Sequence, residues 1–389
     1  MEKICFVVQR YGLEVNGGAE LHCRQLAEQL RPFYDVTVLT TKAIDYITWV
    51  DEYSESEEEI HGVHVKRFGV EHPKNLEIFN EVNNRFFHGE INSRQQELEW
   101  LEKQGPYVPE LLEYIANHQN EYKAFVFFTY LYYPTVLGIP IVKDKAILIP
   151  TAHREPFLEM GIFKDVFFQP KAIFYNTREE RFLVEFTFGN EMIRNDIGGV
   201  GIEVPEQIEP EIFMKKYDLE KYIVYTGRVD AGKGCVKLFE YFQRYKYRNP
   251  GNLKLVLMGK VAIDIPTCED IISLGFVSEE DKFNGMAGAE ALILPSAFES
   301  LSIVVLESLG VERPVVVNGE CKVLVGHCEN SNAGFYYESF EEFEGILNYI
   351  VTHEEVTKQM GTLGKRYVNE NYRWDVIIKR LRRLIDSKG

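Results

Sequence analysis

Long apolar runs are scarce in this 389-residue sequence. The nearest approach is residues 124–142, which carry no charge but contain Pro134, Gly138, Pro140 and several tyrosines. A continuous membrane-spanning helix is not expected there; a buried strand at 125–128, a turn and a short helix fit better. Cysteine is sparse: Cys5, Cys23, Cys235, Cys268, Cys321 and Cys328 are scattered, with no Cys-x-x-Cys pair. That argues against a disulfide framework or zinc site and favours reduced thiols in a cytosolic compartment. His327 beside Cys328 is too little for a metal. Positive charge is short as well, 43 Lys and Arg against 60 Asp and Glu, a net charge of −17. Bulk adhesion to nucleic acid or to an anionic membrane is therefore disfavoured. Residues 1–8 are too short for a signal-peptide core, and no internal repeat or low-complexity tract stands out.

What is present suits about two globular domains, with 45% hydrophobic and 26% charged residues. The chain opens as strand (4–8), polar loop, helix (19–30) and strand (36–39), a βαβ unit of a parallel sheet. A dinucleotide-binding turn would carry Gly-x-Gly-x-x-Gly here. Instead the loop runs Asn16-Gly17-Gly18, which disfavours NAD. Gly17-Gly18 at a helix mouth could still admit a phosphate to the backbone, although Asn-Gly-Gly is also simply a turn. Residues 51–59 read as an acidic, solvated loop, residues 61–68 as an edge strand, and 75–118 as a helical excursion broken at Gly105-Pro106. The strand at 146–149 ends in Thr151-Ala152-His153-Arg154-Glu155, at the carboxyl end of a parallel sheet, where ligands of open α/β folds gather. A further strand (172–175) precedes a helix at 178–186. The glycines and proline of 197–205 mark a seam between domains.

A second strand–helix series follows: strands at 222–225, 253–258, 274–277, 291–294 and 314–317, with Ser278 capping a helix at 279–287. Helices dominate from Ser339 onward. After the first strand stands Gly227-Arg228-Val229-Asp230-Ala231-Gly232-Lys233-Gly234. It imitates a P-loop, yet Gly234 occupies the position where Ser or Thr must hold Mg²⁺, which disfavours a nucleoside triphosphatase. Arg228 and Lys233 flanking a strand–helix turn suit a diphosphate, above all one on which charge is building. Glu299 and Glu307 stand eight positions apart across a helix start near Ser302. At 1.5 Å rise per residue that interval spans about 12 Å. Glu299 falls in the loop and Glu307 about a turn and a half inside. The N–H groups of Leu301, Ser302 and Ile303 then face an anion at the helix N-terminus. Solvated glutamates on a capped helix are the plainer alternative, as surface salt bridges are for Arg228 and Lys233.

Together these stretches resemble retaining GT-B glycosyltransferases of family 4 (glycosyl transferases group 1). The family carries a Gly-Gly loop near the N-terminus (Gly17-Gly18), a histidine after a mid-domain strand (His153), Gly-Arg…Lys-Gly (Gly227-Arg228, Lys233-Gly234) and Glu-x7-Glu (Glu299, Glu307). The resemblance covers most of the chain in the right order and is weakest over residues 75–112. Ser300 and Ser302 stand where the signature often has glycine. Arg154 stands where an acidic residue is frequent, which leaves the role of Glu155 open.

The resemblance implies an α/β GT-B fold, two Rossmann-like doubly wound parallel-sheet domains facing a cleft. Residues 1–203 would form the acceptor-side domain, 204–368 the nucleotide-sugar domain, and 369–389 a helix crossing back. It implies transfer of a sugar from a nucleoside diphosphate sugar to a saccharide, lipid-linked or protein-linked acceptor. The setting would be polysaccharide or glycoconjugate biosynthesis, in the cytoplasm or at the inner face of the membrane. In such enzymes Glu307 accepts from the ribose, backbone near Phe276 and Val277 meets the base, and Arg228 and Lys233 neutralise the diphosphate. N–H groups of Leu301, Ser302, Ile303 and Gly17 or Gly18 assist. Glu299 holds sugar hydroxyls, and His153 meets the transferred sugar where positive charge develops. No metal and no cofactor besides the donor is expected, and no nucleic acid. Lys379, Arg380, Arg382 and Arg383 on the last helix offer a weak peripheral contact with anionic lipid, or simply a solvated face. A sugar-nucleotide epimerase or hydrolase on the same fold, and a non-catalytic partner subunit, are the alternatives. Base, sugar, acceptor, linkage and oligomeric state are left open.

Overall fold

The computed structural model describes residues 1–15 and 17–387; Asn16 of the glycine loop lies outside the described residues. The chain divides into two units, residues 1–200 with 374–389, and residues 201–373.

Unit 1 is built on an eight-stranded sheet whose strands are β1 (Lys3–Val7), β2 (Asp35–Thr41), β3 (Glu57–Ile60), β4 (Val63–Phe68), β5 (Ala124–Phe128), β6 (Ala146–Ile149), β7 (Ala172–Tyr175) and β8 (Asn195–Ile197). Their spatial order is β3-β4-β2-β1-β5-β6-β7-β8. All neighbours run parallel except the β3–β4 hairpin. The central strands read as unbroken apolar runs because helices cover both faces. Helix α1 (Gly18–Leu30) packs Cys23, Leu26, Ala27 and Leu30 on one face. The excursion supplies α2 (Leu76–Phe87), α3 (Arg94–Gln104) and α4 (Pro109–His118), with Trp100, Leu101, Leu111 and Ile115 buried on the other face. Three further helices complete that face: α5 (Tyr133–Gly138), α6 (Gly161–Phe168) and α7 (Arg178–Phe188).

The acidic run is not simply a solvated loop. Glu57–Ile60 is an antiparallel edge strand in which Glu57 opposes Lys66, and cross-strand ion pairs (Lys66 with Glu57, Arg67 with Glu58) offset its charge. His61 sits in the turn between β3 and β4 at φ 48° and not in a strand.

Unit 2 contains β9 (Lys221–Thr226), β10 (Leu253–Met258), β11 (Ile271–Gly275), β12 (Leu292–Leu294), β13 (Val315–Asn318) and β14 (Gly334–Tyr337). All are parallel, in the order β11-β10-β9-β12-β13-β14. Counted from β9 this is the 3-2-1-4-5-6 order of a doubly wound nucleotide-binding sheet, which reverses between β9 and β12. Its helices are α8 (Pro210–Lys216), α9 (Cys235–Arg248), α10 (Glu279–Gly288), α11 (Ile303–Gly310), α12 (Lys322–Ser331), α13 (Phe340–Thr352) and α14 (Glu354–Asn371). Ser278 caps α10 by accepting the Asp281 N–H at 3.1 Å. β11 begins and ends earlier than the sequence suggests, so Phe276 and Val277 lie in the turn beyond it.

Helix α15 (Trp374–Asp386) returns the chain to unit 1, burying Ile377, Ile378, Leu381, Leu384 and Ile385 in the core that contains α1. Of its four cations, Arg380 donates to the Ile197 carbonyl at 2.8 Å, Arg383 pairs with Asp196 at 2.6 Å, and Arg382 lies 3.9 Å from the Phe33 ring. Most of the basic face is thus engaged with the unit's own surface. Among the described residues no helix is long and apolar enough to cross a membrane, and all six cysteines are free thiols.

Candidate active site

In an open parallel sheet the loops on either side of the order reversal diverge and leave a crevice at the strands' carboxyl ends. In unit 2 those loops follow β9 and β12, and they carry Gly227–Gly234 and Pro295–Ser302. Lys233 Nζ pairs with Glu299 Oε1 at 2.7 Å, joining the two loops. Asp230 completes the group. Its Oδ1 accepts the Lys233 N–H at 2.8 Å, and its Oδ2 pairs with the Arg228 guanidinium. Arg228, Lys233 and Glu299 therefore form one cluster through a residue that sequence reasoning passed over, although Asp230 stands between the two cations in the same motif.

Gly234 explains why the P-loop pattern breaks where it does. It caps α9 at φ 77°, and a Cβ there would lie 2.5 Å from the Pro295 carbonyl oxygen. A serine or threonine would meet both the backbone penalty of the left-handed region and a backbone collision. The close approach of the two loops, which lets Lys233 reach Glu299, needs glycine at this position.

Glu299 lies in the bend before α11, and Glu307 is the fifth residue of that helix. Ser302 caps α11 in the left-handed region (φ 61°) without a side-chain cap bond. Its buried hydroxyl has no partner among the described residues. Glu307 is not in the lysine–arginine cluster. Its Oε1 pairs with Lys282 of α10 at 2.9 Å, and Lys282 also meets Glu279 at 2.7 Å. Burial pushes the Glu307 carboxyl up from its ordinary range while the Lys282 ammonium draws it back. For Lys282 the two glutamates outweigh burial and raise it. The turn before α10 holds Val277 and Phe276, whose ring is 86% exposed, a free flat surface one helix start away from Glu307.

His327, discounted as a metal ligand, has a different role. On α12 it is buried, with Nε2 2.7 Å from the Leu301 carbonyl and Nδ1 3.1 Å from the Tyr367 hydroxyl. Nε2–H donates and Nδ1 accepts, so the neutral ring fixes the segment between Glu299 and Ser302 from behind. Burial pushes its pKa down to about 4. No local pattern reveals this contact, because 26 residues separate its partners.

Unit 1 repeats the topology on its own sheet, whose order reverses between β1 and β5. The loop after β1 leads into α1 at Gly17 and Gly18. A Cβ on Gly17 would come within 2.1 Å of Glu20 Oε2, whereas Gly18 faces open space. Glu20 is itself buried, accepting from Arg10 at 2.5 Å and Gln9 at 3.0 Å. His153 follows β6, its Nε2 3.6 Å from Glu155 Oε2, while Glu155 Oε1 accepts the Tyr130 hydroxyl at 2.5 Å. Glu155 thus faces His153 and Tyr130. Among the described residues no group of three or more His, Cys, Asp or Glu could hold a metal ion.

Two doubly wound parallel-sheet units, each with polar loops at the carboxyl ends of its central strands, define the GT-B architecture. Known structures agree over the whole chain. A sucrose-phosphate synthase from Thermosynechococcus elongatus superposes with a TM-score of 0.72 at 14% identity, covering 99% of this chain and 98% of that one. The Anabaena HepE protein in complex with UDP and glucose gives 0.71 at 14% identity, covering 100% of both. At 14% identity these superpositions show the fold alone. At the level of sequence, residues 211–367 match the family described as Glycosyl transferases group 1. The larger part of unit 2 is therefore a glycosyl transferases group 1 domain. An uncharacterized glycosyltransferase of Methanocaldococcus jannaschii is 25% identical over 173 residues, 42% of this chain and 44% of that protein. The chain spans just under half the length of the curated relatives it matches.

Proposed function

We propose that this protein is a glycosyltransferase that moves a sugar, with retention of anomeric configuration, from a nucleoside diphosphate sugar to a saccharide, lipid-linked or protein-linked acceptor. The observation that carries the reading is the Arg228–Asp230–Lys233–Glu299 cluster, placed where the unit 2 sheet reverses its strand order. The family match of the same unit supports it. The Anabaena structure binds UDP and glucose, and a uridine diphosphate sugar is accordingly the first donor to try.

In this reading Glu307 accepts from the ribose hydroxyls, and the turn at Phe276 and Val277 receives the base. Arg228 and Lys233 take the negative charge that builds on the departing diphosphate, with the α11 N-terminus at Leu301, Ser302 and Ile303 beside them. Gly227 keeps the β9 loop free of side-chain bulk, and Glu299 holds sugar hydroxyls. On unit 1, Gly17 and Gly18 offer backbone N–H groups to the phosphate. His153 offers its carbonyl or ring to the anomeric carbon, where positive charge develops as the glycosidic bond lengthens. The setting proposed is polysaccharide or glycoconjugate biosynthesis on the cytoplasmic side, with Lys379 as the least engaged cation for a weak lipid contact.

The test is incubation of the whole protein with UDP-, GDP-, ADP- and dTDP-glucose, with and without saccharide and glycolipid acceptors. Acceptor-dependent release of nucleoside diphosphate is expected. Release at the same rate without acceptor identifies a hydrolase, conversion of the donor to an isomeric nucleotide sugar without release identifies an epimerase, and no release with any pair refutes the reading.

A further inference from the structure

We propose that Glu180 is a positioning residue for the His153 loop: its carboxyl group staples the backbone at Ala152 to the backbone at Asn176, fixing together the carboxyl-end loops of β6 and β7. The inference rests on the reading in which His153 meets the transferred sugar, and it adds a residue to which that reading gives no part.

Thr177 and Glu180 have the spacing of a capping box at the start of α7. The first half of the box forms, Thr177 Oγ1 accepting the Glu180 N–H at 3.0 Å. The second half is diverted. Glu180 Oε2 accepts the Asn176 N–H at 2.5 Å, and Oε1 crosses 28 residues of sequence to accept the Ala152 N–H at 2.6 Å. A helix cap needs only a local bond; the long-range partner serves the neighbouring loop.

Glu180 is 1% exposed, and no lysine, arginine or histidine pairs with it among the described residues. Burial pushes its pKa up to about 8 against the pull of the two N–H bonds. A carboxyl group without a counter-ion is a costly way to fill a core, so its two amide bonds are what it supplies. The loop it grips is itself under backbone tension, because Thr151, immediately before Ala152, holds φ 51°, a region β-branched residues avoid. Beyond His153 the same loop is held by Glu155 and the Tyr130 hydroxyl. His153 therefore lies between two anchored points, and releasing the upstream one leaves its carbonyl and ring free to drift. Misplacement of a reacting group by about 1 Å can cost on the order of a hundredfold in rate.

Glu180→Gln keeps the volume and one acceptor but turns an amide NH₂ toward a backbone N–H. Glu180→Asp keeps the carboxyl and is one methylene too short to span both amides. In the full chain, both variants are expected to speed hydrogen–deuterium exchange of residues 150–157 at least tenfold while peptides from β1 and β5 keep their protection. With the nucleotide sugar that the wild type turns over, kcat is expected to fall at least tenfold while calorimetric affinity for the free nucleoside diphosphate stays within twofold. Unchanged exchange at 150–157 in a folded variant, full turnover in Glu180→Asp, or turnover and nucleotide affinity falling in parallel overturns the proposal. Failure of the transferase reading shows separately, as equal turnover by wild type and Lys233→Ala; the exchange measurement then still decides whether the staple exists.

Discussion

Acidifying this protein should destabilise unit 2 through one buried imidazole, and the size of the effect follows from where His327 sits. The neutral ring donates to Leu301 and accepts from Tyr367, and its folded pKa is about 4 against an ordinary 6.5. The unfolded chain therefore takes up a proton on this side chain first. Its contribution is intact above pH 6.5 and is lost as pH falls toward 4, at about 1.4 kcal/mol per pH unit. At pH 4.5 the loss amounts to about 2–3 kcal/mol, a large share of the stability of an ordinary domain. Glutamine is the informative replacement, because its Nε2 can still donate to the Leu301 carbonyl while nothing titrates. Urea unfolding of wild type and His327→Gln between pH 4.5 and 7.5, followed by a probe in unit 2, measures the difference directly. The wild type should lose about 2–3 kcal/mol more than the variant over that range, and at neutral pH nucleotide affinity should be nearly equal in the two. Parallel stability curves would show that the ring is not held neutral. A much weaker nucleotide affinity in the glutamine variant would show that the bond to Leu301 is not what holds the loop.

Removing a preorganised donor to a developing anion costs about 3 kcal/mol. Arg228→Ala or Lys233→Ala should therefore lower turnover on the order of a hundredfold, with the thermal midpoint little changed; a folded variant with wild-type turnover counts against the assignment. Glu307→Gln should weaken nucleoside diphosphate binding measurably by calorimetry. Lys282→Met should do so more strongly at pH 6 than at pH 8, because the carboxylate loses its ammonium neighbour and protonates more readily; an affinity independent of pH in that variant would refute it. Gly234→Ser, which restores the P-loop residue, should destabilise unit 2 by about 1–3 kcal/mol. It should not create Mg²⁺-dependent triphosphate hydrolysis; a stable, hydrolytic variant would overturn the geometric account of that glycine.

The parallel sheets were legible because strands buried on both faces leave continuous apolar runs, as in β5, β6 and β13, and each run ends in a polar loop. β14 was not foreseen: it follows α12 closely and Tyr336 is 44% exposed, so periodicity does not separate it from helix. β3 was obscured by charge, since three consecutive glutamates look like a solvated loop until Lys66 and Arg67 are brought opposite them. At the site, the ends of the ion pairs that belong to motifs were readable, and their partners were not. Asp230 lies inside a motif and could have been found. Lys282 is 25 residues from Glu307 and His327 is 26 from Leu301, and only the packing of α10 against α11 and of α12 behind the loop before α11 brings them into range. Glu180 carried a local signal, the capping-box spacing, that pointed to a helix start and gave no hint of Ala152.

The charges proposed to bind a nucleotide sugar are already engaged with one another: Arg228 with Asp230, Lys233 with Glu299, Glu307 with Lys282. This arrangement does not weaken the functional reading. Isolated cations clustered this closely would repel, and a carboxylate beside each lysine or arginine keeps the loops in one conformation before a ligand arrives. Partly exposed pairs such as Lys233–Glu299 contribute about 0–1 kcal/mol, whereas hydrogen bonds to a charged phosphate contribute about 1.5–3 kcal/mol each. A diphosphate can thus displace Glu299 from Lys233 at small cost, and the released carboxylate becomes an acceptor beside the sugar in the same step. Glu299→Gln separates this exchange from a static salt bridge. If the exchange operates, nucleoside diphosphate binds at least as tightly to the variant as to wild type, because Lys233 no longer has a competing anion, while turnover of the intact nucleotide sugar falls. Equal losses in both would instead mark Glu299 as a structural partner of Lys233 and remove it from the set of residues that touch the sugar.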